Sequence, residues 1–167
     1  KYQNEGGPRI ADIMSLLLGS DDANTDRRDF FKANVLFWLL GATDGHGKNF
    51  SISLLPGGRF RLTPLYDILT VQPTVDARQI ERKQFRLAMS FGNSNHYKVA
   101  DIVGRHLVET GVQSGLSRAT VQSLFDELQD TALERVDVTL NRLPGDFPGA
   151  LMSSIEAAVK ARLRLLG

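Results

Sequence analysis

Apolar residues recur at helical spacing near the start of the chain and again through its last third, and they alternate only in a short central stretch. Ile10, Ile13, Met14, Leu17 and Leu18 predict a first helix that stops at Gly19, after a polar, glycine-rich turn over Asn4 to Pro8. Phe30, Phe31, Val35, Leu36, Trp38 and Leu39 mark a second helix, with Asn24 or Thr25 as its cap and Gly41 as its end. Phe50, Ile52 and Leu54 share one parity, Phe60 and Leu62 another, and Pro56-Gly57-Gly58 divides them, which predicts a β-hairpin. Residues 70–95 give no clear period. Val99, Ile102, Val103, His106 and Leu107 then share a helical face closed by Gly111. Ser117 opens a long helix through Leu124, Phe125, Leu128, Leu133 and Val136 toward Leu143, and Pro148 opens a last one ending near Leu166. The pattern describes a mainly α fold with one small hairpin.

Length and composition narrow the class. One domain is the default for 167 residues, with 42% hydrophobic and 23% charged positions. A net charge of +1 is too small for a domain that binds nucleic acid mainly by charge. There is no cysteine, which removes disulfides, thiolate nucleophiles and zinc–thiolate sites and fits a reducing cytosol. No apolar run approaches the ~20 residues of a membrane span, and none has the flanks of a signal peptide. A cytoplasmic location is the expectation.

Candidate chemistry concentrates in Gly41-Ala42-Thr43-Asp44-Gly45-His46-Gly47-Lys48-Asn49-Phe50-Ser51, between the second helix and the hairpin. Glycines let this backbone turn tightly, and apolar elements anchor it on both sides. Asp44 and Asn49 have the separation of Asp and Asn in the kinase catalytic loop, where the Asp accepts the substrate hydroxyl proton and the Asn holds magnesium. That spacing carries little alone, because Asp and Asn are common in turns. A further carboxylate is therefore needed across the hairpin, and Asp67 stands there in Thr63-Pro64-Leu65-Tyr66-Asp67-Ile68. Lys48 can bring positive charge to phosphate oxygens, His46 can donate to phosphate or orient Asp44, and Tyr66 can pack on a nucleotide or on the loop.

Other polar residues read as structural. His96 and His106 fit a scaffold role. Asp126, Glu127, Asp130 and Glu134 fit a solvated helix face. Arg78, Arg82, Lys83 and Arg86 fit an exposed basic loop, and Lys160, Arg162 and Arg164 suit the negative end of the last helix. Trp38 with Phe30, Phe31 and Phe37 reads as core.

The loop from Gly41 to Ser51, followed by Arg61-Leu62-Thr63-Pro64-Leu65-Tyr66-Asp67-Ile68, closely resembles the C-terminal domain of the HipA serine/threonine kinases, the toxins of bacterial HipBA toxin–antitoxin modules. Lys1-Tyr2, Gly6-Gly7-Pro8, Leu87-Ala88-Met89 and Asp146-Phe147-Pro148 carry the likeness along residues 1–167. The resemblance implies a helical, kinase C-lobe-like domain with ATP and Mg2+ as cofactors. It implies Asp44 as proton acceptor, Asn49 and Asp67 as magnesium ligands, and His46, Gly47, Lys48, Asn49, Tyr66 and Asp67 around the nucleotide phosphates. It implies transfer of the γ-phosphoryl group to a protein serine or threonine, with glutamyl-tRNA synthetase as the family's target. A HipB-like antitoxin is the implied partner, and operator DNA is reached through it. The uncharged stretch Gly111 to Gly115 argues against direct DNA contact in that region.

The family's N-terminal part carries a glycine-rich phosphate loop, an ATP-contacting lysine and a regulatory serine, and this chain has no match for it. The expectation is a catalytic-domain fragment with little activity alone. Ala42-Thr43 precedes the Asp where ordinary kinases have His-Arg, and Ile68 replaces the phenylalanine that follows the metal-binding Asp. The competing class is a non-catalytic helical module that docks an antitoxin–DNA complex.

Overall fold

Asp22 accepts a hydrogen bond from the Thr25 N–H at 3.2 Å and starts helix α2 (Ala23–Leu40). The cap therefore lies upstream of Asn24 and Thr25, because Thr25 supplies the N–H and Asp22 the short acceptor. In the computed structural model, which describes residues 1–167, α2 is the central element. Phe30, Phe31, Val35 and Trp38 are fully buried along it, each contributing roughly 1.5–3 kcal/mol by burial. The Trp38 indole N–H donates to the Val99 carbonyl at 3.1 Å, so the ring leaves no orphaned donor. Gly41 ends the helix in the left-handed region at φ +69°.

Helix α1 (Ile10–Leu16) buries Ile10 and Met14 and tightens into a turn at Leu17–Gly19. Leu18 points to solvent there, because the tighter turn rotates it off the apolar face. Strands β1 (Ile52–Leu54) and β2 (Phe60–Leu62) pair antiparallel, Ile52 with Leu62 and Leu54 with Phe60, as the alternation predicts. Asp26 of α2 fastens this hairpin. It is buried and accepts from the Arg61 Nη2 at 3.0 Å, from the Leu62 N–H at 2.7 Å and from the Ser20 hydroxyl.

A second hairpin adds to the one expected. Beyond a short helix α3 (Gln72–Asp76), β3 (Arg86–Phe91) pairs antiparallel with β4 (His96–Lys98). Leu87 through Phe91 are all buried, so the strand has no alternating pattern to read. Arg78, Arg82, Lys83 and Arg86 beside it are exposed, as expected.

Three helices close the domain: α4 (Gly104–Gln113), α5 (Arg118–Leu140) and α6 (Gly149–Leu163). Ser117 caps α5 through the Thr120 N–H at 3.0 Å. Gly111 does not end α4 but lies inside it. A Cβ there would sit 2.6 Å from Val121 Cγ2 and 3.0 Å from Phe31 Cζ, so the glycine lets α4 approach α5 and α2. Glu127 is not simply solvated. It pairs with Arg28 and Lys32 of α2, which hold its carboxyl below the usual range. Arg162 leaves its own helix end and donates to the Leu39 carbonyl at 2.7 Å and to Gln72, and burial pulls its guanidinium down to about 10. No helix is long and apolar enough to cross a membrane.

Candidate functional site

The site grows from the end of α2. Beyond Gly41, the Ala42 N–H still reaches the Phe37 carbonyl at 2.8 Å, and Ala42 bridges Thr70 on the returning segment. The chain then folds over the aromatic end of the helix. A Cβ on Gly45 would meet the Phe37 ring at 2.2 Å, so only glycine allows this close approach. The His46 N–H donates to the Asp44 carbonyl at 2.8 Å, and the Asn49 N–H to the His46 carbonyl at 2.9 Å, which winds Gly47–Asn49 into one tight turn. Phe50 anchors the far side edge-on against Phe30 at 4.6 Å.

This winding separates the side chains by environment. His46 and Asn49 are buried, Asp44 is half-exposed, and Lys48 is exposed. The Asn49 amide donates through Nδ2 to Asp67 Oδ2 at 2.8 Å, across 18 residues. Asn49 Oδ1 and His46 Nδ1 are buried without any partner. Buried oxygens are normally paired, so an orphaned amide oxygen beside a carboxylate is a ready ligand position. Asp67 itself adopts φ +56°, a left-handed conformation uncommon outside glycine. Backbone held this way clusters at binding sites.

The segment carrying Asp67 is pinned to the loop. The Thr63 hydroxyl and N–H both reach the Ser51 carbonyl, at 3.1 and 3.0 Å, and Tyr66 donates its hydroxyl to the Lys48 carbonyl at 3.1 Å. Tyr66 thus packs on the loop, one of the two roles expected of it. Asp44 lies on the same loop and reaches His46, with Nε2 3.6 Å from Oδ1. Tyr2, which sequence reasoning missed, donates its hydroxyl to Asp44 Oδ1 at 2.5 Å. No local period signals this contact, because 42 residues separate the partners.

No group of three His, Cys, Asp or Glu side chains could hold a metal ion. What the loop offers is one amide oxygen and one carboxylate. That donor set fits Mg2+, which binds through few protein oxygens and completes its shell with water and phosphate.

His96 and His106 stack on each other at 3.9 Å, with His106 buried. The fold and site together define a mainly helical domain in which one loop carries Asp44 and Asn49, and the segment beyond the hairpin brings Asp67 onto Asn49. A family model for the HipA-like C-terminal domain matches residues 1–136, and the chain belongs to that family. A Sinorhizobium fredii protein named "Putative kinase Y4mE" is 32% identical over 139 residues, covering 81% of this chain and 31% of the relative. HipA of Shewanella oneidensis MR-1, solved with HipB and its operator DNA, superposes with a TM-score of 0.80 at 21% identity over 95% of this chain and 35% of its own. The chain spans about a third of the length of each of these two relatives.

Proposed function

We propose that this chain is the catalytic and magnesium-binding lobe of an ATP-dependent serine/threonine protein kinase of the toxin–antitoxin type. The observation that carries the reading is the junction of Asn49 and Asp67 at 2.8 Å, with Asn49 Oδ1 left free beside it. Asn49 and Asp67 would hold Mg2+, which when bound neutralises charge on the ATP phosphates. Lys48, exposed at the loop rim, adds a mobile positive charge for phosphate oxygens, and the Gly47 backbone lies beside it. Asp44 accepts the proton of the acceptor hydroxyl as that oxygen bonds to the γ-phosphorus and the bond to the β-bridging oxygen breaks, releasing ADP.

The acceptor is a serine or threonine of a protein. The family resemblance makes glutamyl-tRNA synthetase the first substrate to assay. A HipB-like antitoxin is the proposed partner, with operator DNA reached through it, in line with the company in which the Shewanella HipA was solved. A purely docking module would have no use for the unpartnered oxygen of Asn49.

The test uses the full-length protein, with residues numbered as here. Asp44→Ala is expected to lower phosphoryl transfer by about 10²–10⁴-fold while antitoxin binding persists. Undiminished transfer would remove Asp44 from the mechanism.

A further inference from the structure

Three groups approach the Asp44 carboxylate, and Oδ1 is the nearest oxygen to each. The Tyr2 hydroxyl donates to Oδ1 at 2.5 Å, His46 Nε2 lies 3.6 Å from it, and Lys1 Nζ lies 3.9 Å from it. The Tyr2 hydroxyl makes the one side-chain hydrogen bond to this carboxylate, and Oδ2 accepts none. We propose that Tyr2 is a positioning residue for the proton acceptor: its hydroxyl holds Asp44 by Oδ1 and leaves Oδ2 to receive the substrate hydroxyl proton. This role rests on the assignment of Asp44 given above.

The terminal torsion of an aspartate is broad and two-fold, so a free carboxylate would present either oxygen at many angles. One short O–H donor to an ionised oxygen removes most of that freedom. The donor is neutral, so it orients the carboxylate without a full compensating charge. Lys1 does carry charge, but it stands farther off and half-exposed, where an ion pair is weak. The hydrogen bond to Asp44 raises the Tyr2 phenol above its ordinary value, which keeps the proton on Tyr2.

Tyr2 is held firmly enough to act as a reference point. Its carbonyl accepts from the Glu5 and Gly7 N–H groups at 3.0 and 2.8 Å. Gly7 has no room for a side chain, since a Cβ would lie 2.5 Å from the Lys1 carbonyl oxygen. Next in the chain, Gln3 clamps the edge of β3, donating to Ser90 Oγ at 2.8 Å and accepting from the Ser90 N–H at 3.0 Å. The Tyr2 ring stands edge-on to His46 at 5.1 Å, so the arm meets the loop at two points. A supported group of this kind fixes a reacting atom in a way a mobile side chain cannot.

The test is steady-state kinetics on the full-length kinase with Tyr2→Phe, which deletes one oxygen and keeps the ring against His46. The expected result is a fall in kcat of about tenfold, with KM for ATP and for the protein substrate changed by less than about twofold. The melting temperature is expected to stay at the wild-type value. Lys1→Met is expected to cost less than Tyr2→Phe, because Lys1 makes no hydrogen bond to Asp44. Asp44→Asn is measured in parallel and is expected to be inactive. Wild-type kcat in Tyr2→Phe beside an inactive Asp44→Asn would overturn the positioning role and leave the proton acceptor intact. An active Asp44→Asn would overturn both. A Tyr2→Phe protein whose KM and melting temperature shift along with kcat would reduce Tyr2 to a structural part, which also overturns the proposal.

Discussion

Asn49 and Asp67 touch through one hydrogen bond, Nδ2 to Oδ2 at 2.8 Å, while the amide oxygen of Asn49 is buried with no partner. The pair has a direct functional reading. In the full-length protein, Asn49→Ala is expected to raise the Mg2+ concentration needed for half-maximal phosphorylation by at least about tenfold. Titration of activity against Mg2+ checks this. An unchanged Mg2+ requirement would take Asn49 out of the metal site.

Gly45 is predicted to be irreplaceable for packing reasons. Gly45→Ala would push a methyl group to within 2.2 Å of the Phe37 ring. Overpacking of this kind costs about 1–3 kcal/mol, to be read from urea denaturation of the chain. Gly57→Ala makes a useful contrast, since nothing lies within 4 Å of its added Cβ and only its φ of +79° opposes the change.

The Asp26 contact with β2 governs acid stability. Burial alone would raise this carboxyl, but Arg61, Ser20 and the Leu62 N–H outweigh it and hold the group below its ordinary value. A depressed carboxylate stabilises the fold fully above its unfolded pKa of about 4 and loses that contribution as pH falls through the folded value. Asp26→Ala is expected to cost about 2–3 kcal/mol at neutral pH and to flatten the loss of stability toward acid. Denaturation midpoints across the acid range measure both effects.

His106 makes a prediction at milder pH. Burial, then the neighbouring His96 and Arg105, lower its pKa, and Glu109 opposes them only in part. The unfolded chain therefore binds the proton more readily. The stability gained is complete above about pH 6.5 and declines as pH falls toward the folded value. His106→Gln is expected to remove this slope, as seen in melting temperature between mild acid and neutrality.

Much of the architecture was legible because it is local. The hairpin at 52–62 carries alternation and a Pro-Gly-Gly turn, and α2 carries an unbroken apolar face ended by glycine. The β3–β4 hairpin was not, because five consecutive buried residues erase the period that marks a strand. The loop residues Asp44 and Asn49, with Asp67 beyond the hairpin, stood out by type and spacing. Their supports did not: Tyr2 reaches Asp44, Arg162 reaches Leu39, and Glu127 reaches Arg28 and Lys32 only after the chain has folded back on itself. Side-chain type marks the candidate site groups, whereas long-range contact marks the groups that hold them.

Arg162 sits beyond residue 136, where the family match ends, yet it grips the Leu39 carbonyl at the last turn of the helix that launches the candidate loop. The closing helix is therefore a buttress rather than an appendage, since it also buries Val159 and Leu163 in the core. A recombinant version trimmed to the matched region would keep each candidate site residue and still lose the brace behind them.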